Sequence, residues 1–156
     1  MIFYGEVTRN EVQKNEQSGH IATLTEFRII ELIKGDTGQT HTIKQMGGFH
    51  TGSKTRLHIH GVPQFQTGGK YVVFLPEKSS LGFSSPLGLH QGSFPVATIN
   101  NEEIVSSGRR LDKQHAGNTT SRTGSHVQLP LAVNAENPSH SRLSDFINTV
   151  RTYQTQ

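Results

Sequence analysis

Histidine carries the most obvious chemical potential in this chain, with nine copies in 156 residues. His58-Ile59-His60 sets two imidazoles two positions apart, and on a strand such residues share a face. Two rings on one face are half of a metal site, and His41, His50 or His90 could add a third ligand from a neighbouring strand. The competing reading places both rings on the solvent face of a strand whose core residues are Leu57 and Ile59. The strands expected at Thr40 to Met46 and Tyr71 to Leu75 hold no Asp or Glu to complete a site, and no His-Glu-x-x-His pattern occurs. A metal site at His58 and His60 therefore ranks behind two other readings of the chain.

Other motifs carry less. Gly48-Phe49-His50-Thr51-Gly52-Ser53-Lys54-Thr55 imitates a phosphate-binding loop, but Ser53 stands where its last glycine belongs. The residues that follow alternate and then meet Gly61 and Pro63, so they cannot start the helix whose amides would cradle a phosphate. Ser79, Ser80, Ser84 and Ser85 surround Gly82 and Pro86 without the Gly-x-Ser-x-Gly elbow of a nucleophile. Glu102 and Glu103 are adjacent, so on a strand they point to opposite faces and cannot work as an acid/base pair. Asn118-Thr119-Thr120 is a glycosylation sequon, relevant only in a host that modifies it. The chain has no cysteine, which removes disulfides, thiolate metal sites and thiol catalysis together. No enzyme and no cofactor is expected.

Composition narrows the class further. Only 31% of the residues are hydrophobic, and adding the 16 glycines still leaves the apolar share below the average of about 45–50% (glycine included) in soluble domains; 17% are charged, against about 25%. The balance is hydroxyl and amide side chains: 14 Ser, 16 Thr, 8 Asn and 11 Gln. The longest apolar run is Tyr71 to Leu75, far below the roughly 18 residues of a membrane span. A pI of about 9.4 invites a nucleic-acid reading. Residues 107–126, however, hold Arg109, Arg110, Lys113 and Arg122 against Asp112 alone, a net of +3. The rest of the chain has 11 basic and 11 acidic residues and is neutral. The basic character thus belongs to one segment, while Phe27, Phe65, Tyr71, Phe74 and Phe94 sit where a core needs them rather than among cations.

The elements that must position these residues are mostly strands. Phe3 to Thr8 alternates, and Ile21 to Ile33 carries apolar residues in both of its alternating sets, as a long, bent strand does. A helix over Leu24 to Ile33 is the rival, disfavoured by its β-branched residues and Phe27. Further strands are expected at Thr40 to Met46, at Leu57 to His60 and, centrally, at Tyr71 to Leu75. Phe94 to Ile99 and Glu102 to Val105 read as a hairpin around Asn100-Asn101. Gly47-Gly48, Pro63 with Phe65, and Gly68-Gly69 read as structural turns. Residues 107–126 offer only Leu111 as a large apolar group and read as a long mobile basic loop. Val127 to Val133 could add an edge strand. Leu143, Phe146, Ile147 and Val150 form one helical stripe, with Ser139 or Ser141 available as its cap. The expectation is one domain over 1–156: a small antiparallel OB-like barrel of five to seven strands over 1–106, the loop 107–126, and an edge strand and packing helix over 127–156.

Five segments carry a resemblance: Glu31-Leu32-Ile33-Lys34-Gly35, Met46-Gly47-Gly48, Gly61-Val62-Pro63-Gln64-Phe65, Gly68-Gly69-Lys70-Tyr71-Val72-Val73-Phe74-Leu75 and Gln91-Gly92-Ser93-Phe94-Pro95-Val96. Over roughly residues 2–106 their order and spacing resemble a poorly characterised family of exported bacterial proteins. The N-terminal domain of that family is similar to the OB-type barrel of netrin and metalloproteinase-inhibitor modules. The resemblance implies a secreted or periplasmic, non-enzymatic domain, with any signal peptide lying upstream of Ile2. The animal inhibitors act through an N-terminal cysteine, which this chain lacks, so their mechanism does not carry over and no functional residue is transferred.

The leading functional expectation is a binding or interaction module with a protein partner. Its contact surfaces are expected on the loop bearing Arg109, Arg110 and Lys113 and on the turn bearing Gly47, Gly48, His50 and Lys54. A single-stranded nucleic-acid binder of the same fold is the runner-up. Nothing in the sequence speaks to oligomeric state.

Overall fold

The computed structural model describes residues 1–106 and 140–154. Among these residues nine strands, a 3-10 turn at Leu89–Gly92 and one α-helix succeed one another: β1 (Ile2–Lys14), β2 (Ile21–Lys34), β3 (Thr40–Met46), β4 (Gly48–His50), β5 (Thr55–Leu57), β6 (Lys70–Phe74), β7 (Ser93–Ile99), β8 (Glu102–Ser106), β9 (His140–Arg142) and α1 (Leu143–Gln154). Seven strands form one antiparallel sheet in the order β3-β2-β1-β6-β7-β8-β9, and β4 pairs with β5 in a separate hairpin. The chain is therefore mainly β with a C-terminal helix, as composition and periodicity indicate.

The expected barrel closure is not observed among the described residues. Closure would require hydrogen bonds between β3 and β9, the two ends of the strand order. The outer edge of β3 instead meets the loop after β6, where the Ser84 amide donates to the Lys44 carbonyl at 2.9 Å. A chain segment lying on that edge satisfies backbone groups that a closing strand would have used.

Sequence alternation explains the layering. Phe3 and Tyr4 are consecutive, so they point to opposite faces, and so do Val72 and Val73. Phe3 and Val73 join Val7, Phe27, Ile43, Phe65 and Leu75 in one core, held by edge-to-face contacts such as Phe27–Phe65 at 5.0 Å. Tyr4 and Val72 join Val105 and the helix stripe Leu143, Phe146, Ile147 and Val150 in the other. The central strands β1 and β6 are thus buried on both faces, which is why Tyr71 to Leu75 reads as a continuous apolar run. A 12-residue helix is marginal alone, and α1 is held by this stripe. Among the described residues no helix is long and apolar enough to cross a membrane.

Strand β2 is a strand throughout, excluding the rival helix, and its pairing with β1 shifts register at three places. The shifts let Phe27 enter the first core while Ile33 packs on the second. Asn100 and Asn101 take φ of 50° and 63°, the left-handed pair that a two-residue primed hairpin turn requires. Ser141 lies in β9 opposite Val105, so it is a strand residue rather than the helix cap. The expected loop at 107–126, the edge strand at Val127 to Val133 and the cap at Ser139 fall outside the described residues.

Candidate functional site

The site is built on three neighbouring strands whose register aligns two rows of side chains. Asn10, Thr25 and Ile43 are partners across β1, β2 and β3, and Val12, Thr23 and Gln45 form the next row but one on the same face. The row of Val7, Phe27 and His41 precedes them at the aromatic core. Moving along the sheet, the interior face passes from Phe27 to Thr25, Thr23 and Gln45, so an apolar core gives way to a polar floor. Strand β3 shows the change most directly: Ile43 is 0% exposed and Gln45, two residues on, is 3% exposed.

The hairpin β4–β5 forms the roof. It can fold back here because Gly47 and Gly48 take φ of +107° and +134°, conformations that L side chains rarely adopt. A Cβ on Gly48 would also stand 2.6 Å from the Thr23 hydroxyl oxygen and 3.0 Å from Val12. Thr23 fixes the turn by donating its hydroxyl to the Gly47 carbonyl at 2.7 Å. Pro63 is buried and Phe65 reaches into the core, so the segment after β5 closes the side. Together these elements enclose a pocket of about 300 Å³, at the small end of ligand sites.

Most polar groups of the floor are committed to one another. Thr25 donates to Asn10 Oδ1 at 2.7 Å, and Asn10 Nδ2 donates to the Phe65 carbonyl at 2.9 Å. Gln45 differs: its buried Nε2 has no hydrogen-bond partner among the described residues. Above, Arg56 lies across from Phe49 on the paired strand, its guanidinium 5.3 Å from the ring centre. Phe49 is 43% exposed. Among the described residues the lining carries Arg56 and His58 but no Asp or Glu.

Of the residues singled out from the sequence, Gly47, Gly48 and His58 line this pocket. His50 and Lys54 belong to the same hairpin: the His50 Nδ1 and Ser53 hydroxyl are 2.9 Å apart, and Lys54 takes φ of 52° in the turn. The expected strand through His60 stops at Leu57, so the alternation that would set His58 and His60 on one face ends before it reaches them. The register of β5 is spent against the three residues of β4, and Gly61 and Pro63 turn the chain away. His41 packs on the Phe3 ring and is 3.2 Å from the Thr37 hydroxyl. Burial, reinforced by the positive charge of Lys78, holds its pKa below the usual histidine value. Among the described residues no group of three or more His, Cys, Asp or Glu could hold a metal. Residues 48–55 form strand, turn and strand with no helix, so the phosphate-loop likeness is only a likeness in sequence. Arg109, Arg110 and Lys113 lie outside the described residues.

Sequence reasoning missed Gln45, Thr25, Asn10 and Arg56. One signal was present for Gln45: it shares the parity of Ile43 in Thr40–Met46, a polar residue at a core-facing position. On the helix side of the sheet lies a second polar cluster. Tyr4 donates to Glu103 Oε1 at 2.6 Å, and Lys70 donates to the same oxygen at 2.8 Å. Burial first, and Glu103 second, raise the Tyr4 pKa well above its ordinary value, while the Lys70 and Tyr4 hydrogen bonds lower that of Glu103. The cluster ties β1 to β8 across β6 and β7.

Comparison with protein families, curated proteins and solved structures finds no match for this chain.

Proposed function

We propose that the protein is a non-catalytic binding module of an exported bacterial protein, acting in a secreted or periplasmic setting. We further propose that its sheet is an open relative of the OB-type barrel of netrin and metalloproteinase-inhibitor modules, and that its partner is a protein. The contact surface is the β4–β5 hairpin with the pocket it covers. The observation that carries this reading is the chemistry of the lining: amides, hydroxyls and apolar side chains, with Arg56 and His58 the only ionisable side chains among the described residues. Such groups supply shape, hydrogen bonds and charge for recognition. The exposed Phe49 ring beside Arg56 adds the aromatic and guanidinium pairing enriched at protein contacts.

The test is affinity capture from a periplasmic extract with the full chain, the Phe49→Asp variant and a deletion of residues 107–126. The reading expects a partner that the full chain retains and Phe49→Asp loses; loss on the deletion alone would move the contact to residues 107–126. A partner held equally by all three removes both surfaces from consideration. The nucleic-acid alternative draws on the same Phe49–Arg56 pair. It requires oligonucleotide retention at roughly 50 mM salt that weakens steeply as salt rises.

A further inference from the structure

We propose that the pocket beneath the hairpin binds a small organic acid, its carboxylate seated on the Gln45 amide and its hydrocarbon body against Val12, Ile59 and Val62. The proposal rests on the hairpin pocket being the contact surface and names the chemistry it recognises.

Three observations carry it. The first is Gln45, 3% exposed, with an Nε2 that has no hydrogen-bond partner among the described residues. Buried donors are normally paired; this one belongs to a side chain that lines the pocket, and a turn of the amide about its last bond presents it to an acceptor there. The neighbouring floor groups do not compete for that acceptor, because Thr23, Thr25 and Asn10 already bond to Gly47, Asn10 and Phe65. The second is charge. Among the described residues the lining holds the Arg56 guanidinium and no carboxylate, so an anionic acceptor is favoured over a neutral one and an ammonium is disfavoured. The third is the wall. Val12, Leu57, Ile59, Val62 and Pro63 face the same space, which at about 300 Å³ suits a hydrocarbon of a few carbons and not a large amphiphile. A donor at the floor, a cation in the lining and apolar sides describe an aliphatic carboxylate. Two sources present that group: a free short-chain acid, and the C-terminal residue of a partner polypeptide.

The experiment follows the Gln45 side-chain amide and the Gly47 and Val62 backbone amides of the full chain by ¹H–¹⁵N NMR. Isovalerate is one probe. The tripeptide acetyl-Gly-Gly-Leu, with a free or an amidated C-terminus, is the other. The expected result is a saturable shift of the Gln45 amide signals with isovalerate, with the free-acid peptide, or with both, and none with the amidated peptide. Binding by the peptide alone assigns the site to a chain terminus, and binding by isovalerate alone assigns it to a free acid. Gln45→Met keeps the length of the side chain and removes the donor, and should weaken binding about tenfold or more. Gln45→Glu should abolish it by like-charge repulsion. Arg56→Gln, at an exposed position, should weaken it several-fold and flatten its salt dependence. Gln45 signals unmoved by every probe at about 10 mM, above the roughly millimolar Kd of so small a contact, overturn the proposal. So does equal affinity in the Gln45→Met variant. If the probes fail while Phe49→Asp still loses its protein partner, the organic-acid inference falls and the contact surface stands. If Phe49→Asp keeps its partner as well, both fall.

Discussion

Replacing Gln45 by Met should make the ligand-free protein more stable, an unusual expectation for a core substitution. The Gln45 side chain is 3% exposed, and its Nε2 has no partner among the described residues. A buried donor left without a partner costs about 1–3 kcal/mol of desolvation that folding does not recover. Methionine has similar length and volume and no group to desolvate, and volume-conserving swaps usually cost less than about 1.5 kcal/mol. The difference is a net gain of about 1 kcal/mol. In a chain of this size that raises Tm by about 2–4 °C. Urea denaturation of wild type and Gln45→Met, with the slope m checked for constancy, measures the same quantity as a shift in midpoint. Ligand reverses the order, because whatever binds the native state adds stability in proportion to its affinity, and Gln45→Met would lose that addition. A Gln45→Met protein less stable than wild type by 1 kcal/mol or more would refute the reasoning, because the amide would then be making bonds in solution that outweigh its burial.

The other predictions concern the helix, the hairpin and two titrating groups. Phe146→Ala should cost about 3–5 kcal/mol and release α1 from the sheet, read as lost protection of the helix amides, because Phe146 packs on Phe74 and Phe94. Gly48→Ala should destabilise the hairpin, since its φ of +134° and the 2.6 Å approach to Thr23 leave no room for a Cβ; changed NMR shifts confined to residues 47–57 would show it. Stability should fall on acidification in two windows. The His41 pKa is held down in the folded state, so its contribution is complete above about 6.5 and is lost as pH falls through the lowered folded value; His41→Gln should flatten that limb of a denaturation series. The Glu103 pKa is also lowered, so its contribution is complete above about 4.5 and disappears as pH falls through its folded value; Glu103→Gln should flatten only this more acidic limb.

Much of the fold was legible because alternation is a local property. The strand at Thr40–Met46, the length of β2, the Asn100-Asn101 turn and the stripe Leu143, Phe146, Ile147 and Val150 each follow from residues within one element. The end of β5 did not follow, since Leu57, His58, Ile59 and His60 alternate as well as any strand. What ends the strand is that its partner β4 offers only three residues. The same reason undoes the paired histidine face, which existed only as long as the strand did.

By itself the sequence determined the class of elements, the residues that face inward in each, and the neutrality of everything outside residues 107–126. Those properties depend on spacing and composition along the chain. The tertiary structure alone decided that the sheet is open among the described residues, because closure depends on whether strands remote in sequence meet, and the edge of β3 meets the Ser84 loop instead. It alone decided where the polar floor lies. Asn10, Thr25 and Gln45 are far apart in the chain and ordinary in a sequence so rich in amides and hydroxyls. Only the register of three strands, set by bulges in β1 and β2, brings them together under the hairpin and leaves Gln45 with a hydrogen bond to give.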